Sequence, residues 1–353
     1  MVGEIDWIIF RIAIFFQPSA RIENPDDSSL SMILIAPDKF KGSLTAPQAA
    51  ELIADALRLC GFEDLMLVPM ADGGEGTPRS LGGRSVILSS DFAGFGSTSL
   101  AGKSLMGRSS FPLGREILRH GSEPIYIAIG GTATSDGGAG LLQALGARFF
   151  GPQGEILRPI TPADLPSLVR IDTSGLAHPE LTGLSDVRAA LLPPGLSALD
   201  FARQKGASDA DMKMLEAGLR RLAELLPDSP PGPHAGAGGG IGYALESVLK
   251  APVADGAVAV LEAQHIPWQR VSLIITGEGR IDAQTAGGKV VKALTDKARQ
   301  LAVPVIAIGG YVEPHLRSRN VVSTIDSPDE YDPALAASRL HGAALKIANN
   351  LGR

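Results

Sequence analysis

The stretch Ile125–Gly140, IYIAIGGTATSDGGAG, decides how the rest of the chain is read. Ile125–Ile129 is a short apolar run rich in β-branched residues and predicts a buried strand. It opens into glycines, threonines, a serine and Asp136, and Gly137–Gly146 (GGAGLLQALG) resumes as an apolar, helix-like segment. A strand, a glycine-rich turn and a helix start leave backbone N–H groups converging on one spot. The helix dipole adds to their attraction for an anion. The missing Cβ atoms of Gly130, Gly131, Gly137 and Gly138 let a phosphate approach the main chain. The competing reading is a tight turn whose hydroxyls only cap a helix.

Outward from this stretch, strand and helix alternate toward both ends. Ile33–Ala36 reads as a strand, APDKFKGSLT as a loop, and Ala46–Leu59 as a helix with Thr45 as N-cap and Pro47 in its first turn. Leu65–Pro69 is a second strand running into MADGGEGT. A strand–helix–strand unit implies a parallel sheet, with ligands beyond the carboxyl ends of its strands. The two loops leaving those ends carry Asp38, Lys39, Lys41, Ser43, Asp72 and Glu75. Near the other terminus, Val271–Thr276 predicts a buried strand that ends in GEGRID, followed by the loop AQTAGGK and a helix over Val290–Leu301. Val303–Ile308 is a further strand, and Pro333–Asn349 an alanine-rich helix.

The middle is less regular. Gly94–Ser104 (GFGSTSLAGKS) approaches a phosphate-binding P-loop but has one residue too many between its glycines. RQKGAS, with Lys205, precedes an amphipathic helix over Asp209–Leu226. PDSPPGP is a connector, and HAGAGGGIG opens a helix over Tyr243–Leu249 with its N–H donors exposed. The expected architecture is α/β: an open parallel-sheet domain built from residues 32–80 and 270–353, with a second α/β domain inserted over 81–269. The default ligand site in such a chain is the cleft between two domains.

Composition narrows the function classes. The chain has 353 residues, 44% of them apolar, a net charge of −6 and a pI near 5.6, which disfavours nucleic acid and anionic membranes as partners. Cys60 is the only cysteine, which fits a reducing cytoplasm, and the six histidines are scattered without zinc-site spacing. Trp7–Phe16 is too short for a membrane span and is broken by Arg11, and Glu4 and Asp6 precede it where a secretory signal needs positive charge. Residues 1–31 are therefore expected to be an upstream extension outside the domain, with Met32 as the natural start. There is no GxSxG elbow and no complete GxGxxG, so neither an acyl-enzyme nor a dinucleotide fold is indicated.

Six motifs in register, APDKFKGSLT, PMADGGEGT, IGGTATSDGGAGLLQALG, QKGA, GAGGGIG and TGEGRID with QTAGGK, resemble the bacterial glycerate kinase family of the two-domain, non-ribokinase type. The resemblance runs from Met32 almost to the C-terminus. It implies a flavodoxin-like domain carrying an inserted α/β domain, ATP and Mg2+ as cofactors, and D-glycerate as the acceptor, most simply at its 2-hydroxyl. The alternatives are a glycerate 3-kinase, a non-catalytic relative that binds a sugar acid or nucleotide, and a metal-dependent phosphohydrolase. A homodimer is left open.

For the site, the resemblance implies that Gly130, Gly131, Thr132, Thr134, Asp136, Gly137, Gly238 and Gly239, with Lys205, serve phosphates. Asp72, Asp186 and Lys41 form the implied catalytic set, and Mg2+ is expected through Asp72, Glu75 or Glu278. Lys39, Lys41 or Arg280 would pair the glycerate carboxylate, with Asp38, Ser43, Gly73, Gly74 and Asp282 completing the binding residues. The chain departs from the family where the segment after Thr77 shrinks to PRSLGGRS, where Asp186–Ala190 reads DVRAA, and around Tyr311–Ser323. The inserted domain is thus expected to be shortened.

Overall fold

A computed structural model describes residues 32–74, 76–282 and 290–352. The expectations for residues 1–31, for Glu75 and for the AQTAGGK loop (283–289) lie outside the described residues. The chain forms two compact units, one from the described residues up to Asp72 together with those from Val260 onward, the other from Gly73–Ala259. In chain order the strands are β1 (Met32–Ile35), β2 (Leu65–Leu67), β3 (Ser80–Leu81), β4 (Arg84–Leu88), β5 (Ile125–Ala128), β6 (Arg148–Gly151), β7 (Gly154–Glu155), β8 (Arg170–Asp172), β9 (Leu181–Ser185), β10 (Val253–Asp255), β11 (Val271–Ile281), β12 (Val305–Val312) and β13 (Val321–Ile325). The helices are α1 (Ala46–Leu59), α2 (Ser89–Ala93), α3 (Phe111–Arg119), α4 (Ala139–Ala144), α5 (Asp209–Glu224), α6 (Gly256–Glu262), α7 (Val290–Leu301) and α8 (Ala336–Leu351).

The terminal unit carries an all-parallel sheet in the order β13-β12-β11-β1-β2. From β1 the chain steps outward to β2, then returns to the other side of β1 and continues through β11, β12 and β13. That reversal is the flavodoxin-like switch, and it leaves the carboxyl ends of β1 and β11 side by side. The helix α1 forms where the sequence asks for it. Thr45 and Gln48 make a reciprocal capping box, the Gln48 side chain accepting from Thr45 N at 2.9 Å, and the alanine-rich face with Ile53 and Leu57 is fully buried. That face meets Leu340, Ala344 and Ile347 of α8 over Ile33, Ile35, Leu273, Ile275 and Ile308. Each buried Ile or Leu contributes about 1.5–3 kcal/mol.

One local expectation is corrected in this unit. The strand expected over Val271–Thr276 runs on as β11 to Ile281 and stays paired with β12 at Glu278↔Gly309 and Arg280↔Tyr311. Glycines inside a strand argue against it on propensity, yet here they make room for the loop after β1. A Cβ on Gly279 would lie 3.0 Å from Lys41 N.

The inserted unit is built on a sheet ordered β10-β9-β5-β4-β3, parallel except for the edge strand β3. A smaller antiparallel sheet, β7-β6-β8, accompanies it. The central β5 is apolar on both faces, as a strand covered on both sides must be. Ile125, Ile127 and Ile129 sit in one core with Leu113 and Ile117 of α3, Leu141 and Leu142 of α4, and Leu215, Leu219 and Leu222 of α5. The boundaries between the two units fall at Asp72/Gly73 and Ala259/Val260; β3 pairs with β4, and Gly73 packs against Leu184 and Gly256 of its own unit.

Candidate functional site

In the terminal unit the charged loops gather at the switch point. Asp38 N donates to Gly277 O at 2.8 Å and Thr276 Oγ1 to Ala36 O at 2.9 Å, tying the loop after β1 to β11. Asp38 is buried, and its Oδ1 accepts from Lys39 N at 2.7 Å. The Lys39 ammonium lies 3.2 Å from Asp72 Oδ1, which arrives after β2, and 4.0 Å from Asp38 Oδ1. Glu278 is buried within the carboxyl-terminal half of β11. Three sequence-predicted residues have other work. Ser43 Oγ donates to Phe40 O at 3.0 Å and braces its own turn, and Arg280 is bonded to Asp282 at 2.9 Å, with Glu313 at 3.7 Å. Lys41 is exposed.

In the inserted unit the glycine loop after β5 makes a second cluster. Gly130 comes so close to Gly74 that a Cβ would lie 2.6 Å from its Cα, and Thr132 bridges to Gly94. Asp136 is turned inward and is 0% exposed. Its Oδ2 accepts from Ser110 N (2.7 Å), Ser110 Oγ (2.8 Å) and Gly140 N (3.2 Å), and its Oδ1 from Gly138 N (3.2 Å). Ser110 Oγ in turn accepts from Leu141 N at 2.9 Å. The N-terminus of α4, expected to present N–H groups to a ligand, is thus capped by protein. Burial pushes the Asp136 carboxyl above its ordinary range, and the bonds from Ser110, Gly140 and Gly138 offset part of that.

Lys205 is the unusual member. It is 6% exposed, and its Nζ donates to Thr134 O at 2.8 Å. Among the described residues, that ammonium has no other hydrogen-bond partner and no carboxylate within 4.0 Å. The Thr134 and Ser135 hydroxyls are also buried without a partner among the described residues. Burial pushes the Lys205 ammonium down to about 8, Asp136 pulls it up, and Arg108 pushes it down. A buried cation and two idle hydroxyls in one place are costly without a ligand and suit an anion with several oxygens.

Gly239 closes over this spot in the left-handed region at φ 68°, where a Cβ would meet Thr134 O and lie 2.9 Å from Lys205 Nζ. The donors expected from Gly236–Gly240 are partly spent inside the fold. Gly236 N donates to Ala189 O at 2.7 Å and Gly240 N to Ala237 O at 3.2 Å, while Gly137 N donates to Gly239 O at 3.0 Å. These glycines serve close backbone approach, and the segment after them is a π-helical turn, Tyr243–Val248, rather than a regular helix. Gly238 lies against Ile129. Asp186 is half-buried just beyond β9, the neighbour of β5.

Sequence reading missed Ser110, Ser135 and Arg108. Ser135 stands inside the quoted motif and its hydroxyl was a readable signal. Ser110 and Arg108 stand in an irregular stretch with none. Among the described residues, no group of three or more His, Cys, Asp or Glu side chains could hold a metal ion, and no helix is long and apolar enough to cross a membrane.

Comparison with known proteins gives this geometry a context. The profile of the Glycerate kinase family matches residues 33–91 and 81–349, two stretches that overlap where the segment after Thr77 is short. A glycerate kinase of Bacillus cereus is 34% identical over 330 aligned residues, covering 80% of this chain and 86% of that protein. A glycerate 2-kinase of Escherichia coli is 33% identical over 378, covering 89% and 98%. A crystal structure provisionally named glycerate kinase 2, from Salmonella typhimurium LT2, superposes with a TM-score of 0.71 at 31% identity, covering 91% of this chain and 98% of that one. With both stretches of the profile matched and relatives of that name alike nearly from end to end, the chain belongs to the glycerate kinase family.

Proposed function

We propose that this protein transfers the γ-phosphoryl group of ATP to D-glycerate and forms 2-phosphoglycerate. The observation that carries the reading is the buried Lys205 ammonium bonded to the carbonyl of Thr134, whose hydroxyl and that of Ser135 have no partner among the described residues, in a chain whose relatives include glycerate kinases. Phosphoryl transfer is catalysed mainly by positioning and charge neutralisation. Lys205 supplies a fixed positive charge, and Thr134 and Ser135 supply donors, for phosphate oxygens. Lys39, held by Asp72 and Asp38, is the best-placed partner for the glycerate carboxylate, with Lys41 and Arg280 as the other candidates. Asp72 and Asp186 are the candidates to accept the hydroxyl proton. The choice of the 2-hydroxyl rests on the Escherichia coli relative, named a glycerate 2-kinase.

A magnesium ion brought in with the nucleotide needs only one or two protein carboxylates, the remaining positions going to phosphate and water. Asp72 or Glu278 would be the carboxylates to hold it, although no group of three or more acidic or histidine side chains gathers for a metal among the described residues; Glu75 lies outside them. When bound, the ion neutralises charge on the phosphates.

Coupling the reaction to enolase tests the proposal, because 2-phosphoglycerate is consumed directly whereas 3-phosphoglycerate first needs a mutase. We expect a signal with enolase alone. A signal only after adding mutase overturns the regiochemistry, and no ADP formed with glycerate, at any magnesium concentration, overturns the kinase reading.

A further inference from the structure

We propose that Arg108 is a positioning residue for the phosphate-binding Lys205, clamping the 203–206 turn to the glycine loop so that the ammonium is held at Thr134. The inference rests on the reading of Lys205 as a phosphate ligand. Arg108 lies outside every recognisable motif and far from Lys205 in sequence, yet its Nη1 donates to both Lys205 O (3.2 Å) and Ala133 O (3.3 Å). Those carbonyls belong to the two segments that must stay in register. Ala133 precedes the residue whose carbonyl accepts from Lys205 Nζ, and Lys205 is the residue that donates. The other edge of the guanidinium is fixed as well. Nε donates to Lys103 O at 3.1 Å, and the group stands 5.6 Å over the exposed Phe95 ring. A planar fork that grips carbonyls on two edges suits arginine and not lysine.

The clamp also acts through charge. The charged groups that bear on Lys205 Nζ are Asp136, from the glycine loop, and Arg108, from the segment before α3. Arg203, on the same turn as Lys205, is taken up by Asp209 at 2.8 Å. Arg108 lowers and Asp136 raises the proton affinity of the ammonium, so removing the guanidinium makes Lys205 hold its proton to higher pH. An arginine that braced the fold away from Lys205 would leave that titration where it is.

The test compares kcat/KM for ATP across pH 6.5–9.5, at saturating glycerate and about 0.1 M salt, in wild type, Arg108→Met, Arg108→Lys and Lys205→Arg. Wild type should lose activity above about 8 as Lys205 deprotonates, and Lys205→Arg should remove that alkaline limb. Arg108→Met should raise KM for ATP by about ten- to a hundredfold and move the limb upward. Arg108→Lys keeps a charge and loses the fork, so it should raise KM with the limb near its wild-type position, and it serves as the variant if Arg108→Met does not fold. Wild-type KM and limb in both Arg108 variants, with the limb abolished in Lys205→Arg, overturn the Arg108 inference alone. An unchanged profile in Lys205→Arg overturns the phosphate-site reading beneath it.

Discussion

Asp136→Ala separates chemistry from architecture at the centre of the glycine motif. The carboxylate is 0% exposed and accepts four bonds, from Ser110 N, Ser110 Oγ, Gly138 N and Gly140 N. Alanine leaves these donors unpaired in the interior, where each uncompensated donor costs about 1–3 kcal/mol. Relaxation of the loop and entry of water share that cost, so the net loss should be about 3–5 kcal/mol. At roughly 2–4 °C per kcal/mol for a unit of this size, the unfolding transition of the inserted unit should fall by about 6–20 °C. Asp136→Asn keeps an oxygen for the three donors at Oδ2 and turns an NH2 toward Gly138 N. It loses one bond but also the buried charge, and should cost about 1–3 kcal/mol. Differential scanning calorimetry gives the order wild type, Asn, Ala, with kcat of the folded protein at low temperature falling far less than the stability. An Asp136→Ala enzyme with the wild-type transition and kcat down roughly a hundredfold would refute the reasoning and put the carboxylate in the reaction.

Two further outcomes follow from the same cluster. Gly239→Ala forces a side chain into a left-handed residue and against Thr134 O and Lys205 Nζ, so it should raise KM for ATP and lower the melting temperature together; either effect without the other contradicts the close approach. Lys205 has a folded value of about 8 against 10.5 for the free side chain, so between those pH values the unfolded chain binds more protons. Stability of the inserted unit should therefore rise as pH climbs through that window, and Lys205→Met, measured by denaturant midpoint, should flatten the rise.

The strand–helix alternation, the capped α1 and the glycine motifs were legible because each is a local pattern: Thr45, Pro47 and Gln48 speak to one another across three residues. The family resemblance was legible for the same reason, since every motif that carries it is contiguous. Two errors in local reading share one cause. The strand was expected to stop at Thr276, before GEGRID, and HAGAGGGIG to be a donor-rich helix start, because glycine content argues for turns. Each run instead lets a distant backbone come near, the loop after β1 in one case and Thr134 with Gly137 in the other.

Which groups meet at the site proposed for phosphates was decided only in three dimensions. Asp136 reads as a ligand until Ser110 is brought across to occupy it, and nothing in the sequence joins those two residues. Lys205 is assigned to phosphates by its motif, but only the fold shows that burial strips its water and, among the described residues, leaves a single carbonyl bonded to it. Arg108 has no reading at all before its fork reaches both carbonyls. Backbone preference and capping act over a turn or two and are written along the chain. Desolvation and the pairing of charges depend on what packs around a group, and for these residues that is settled by segments far away in sequence.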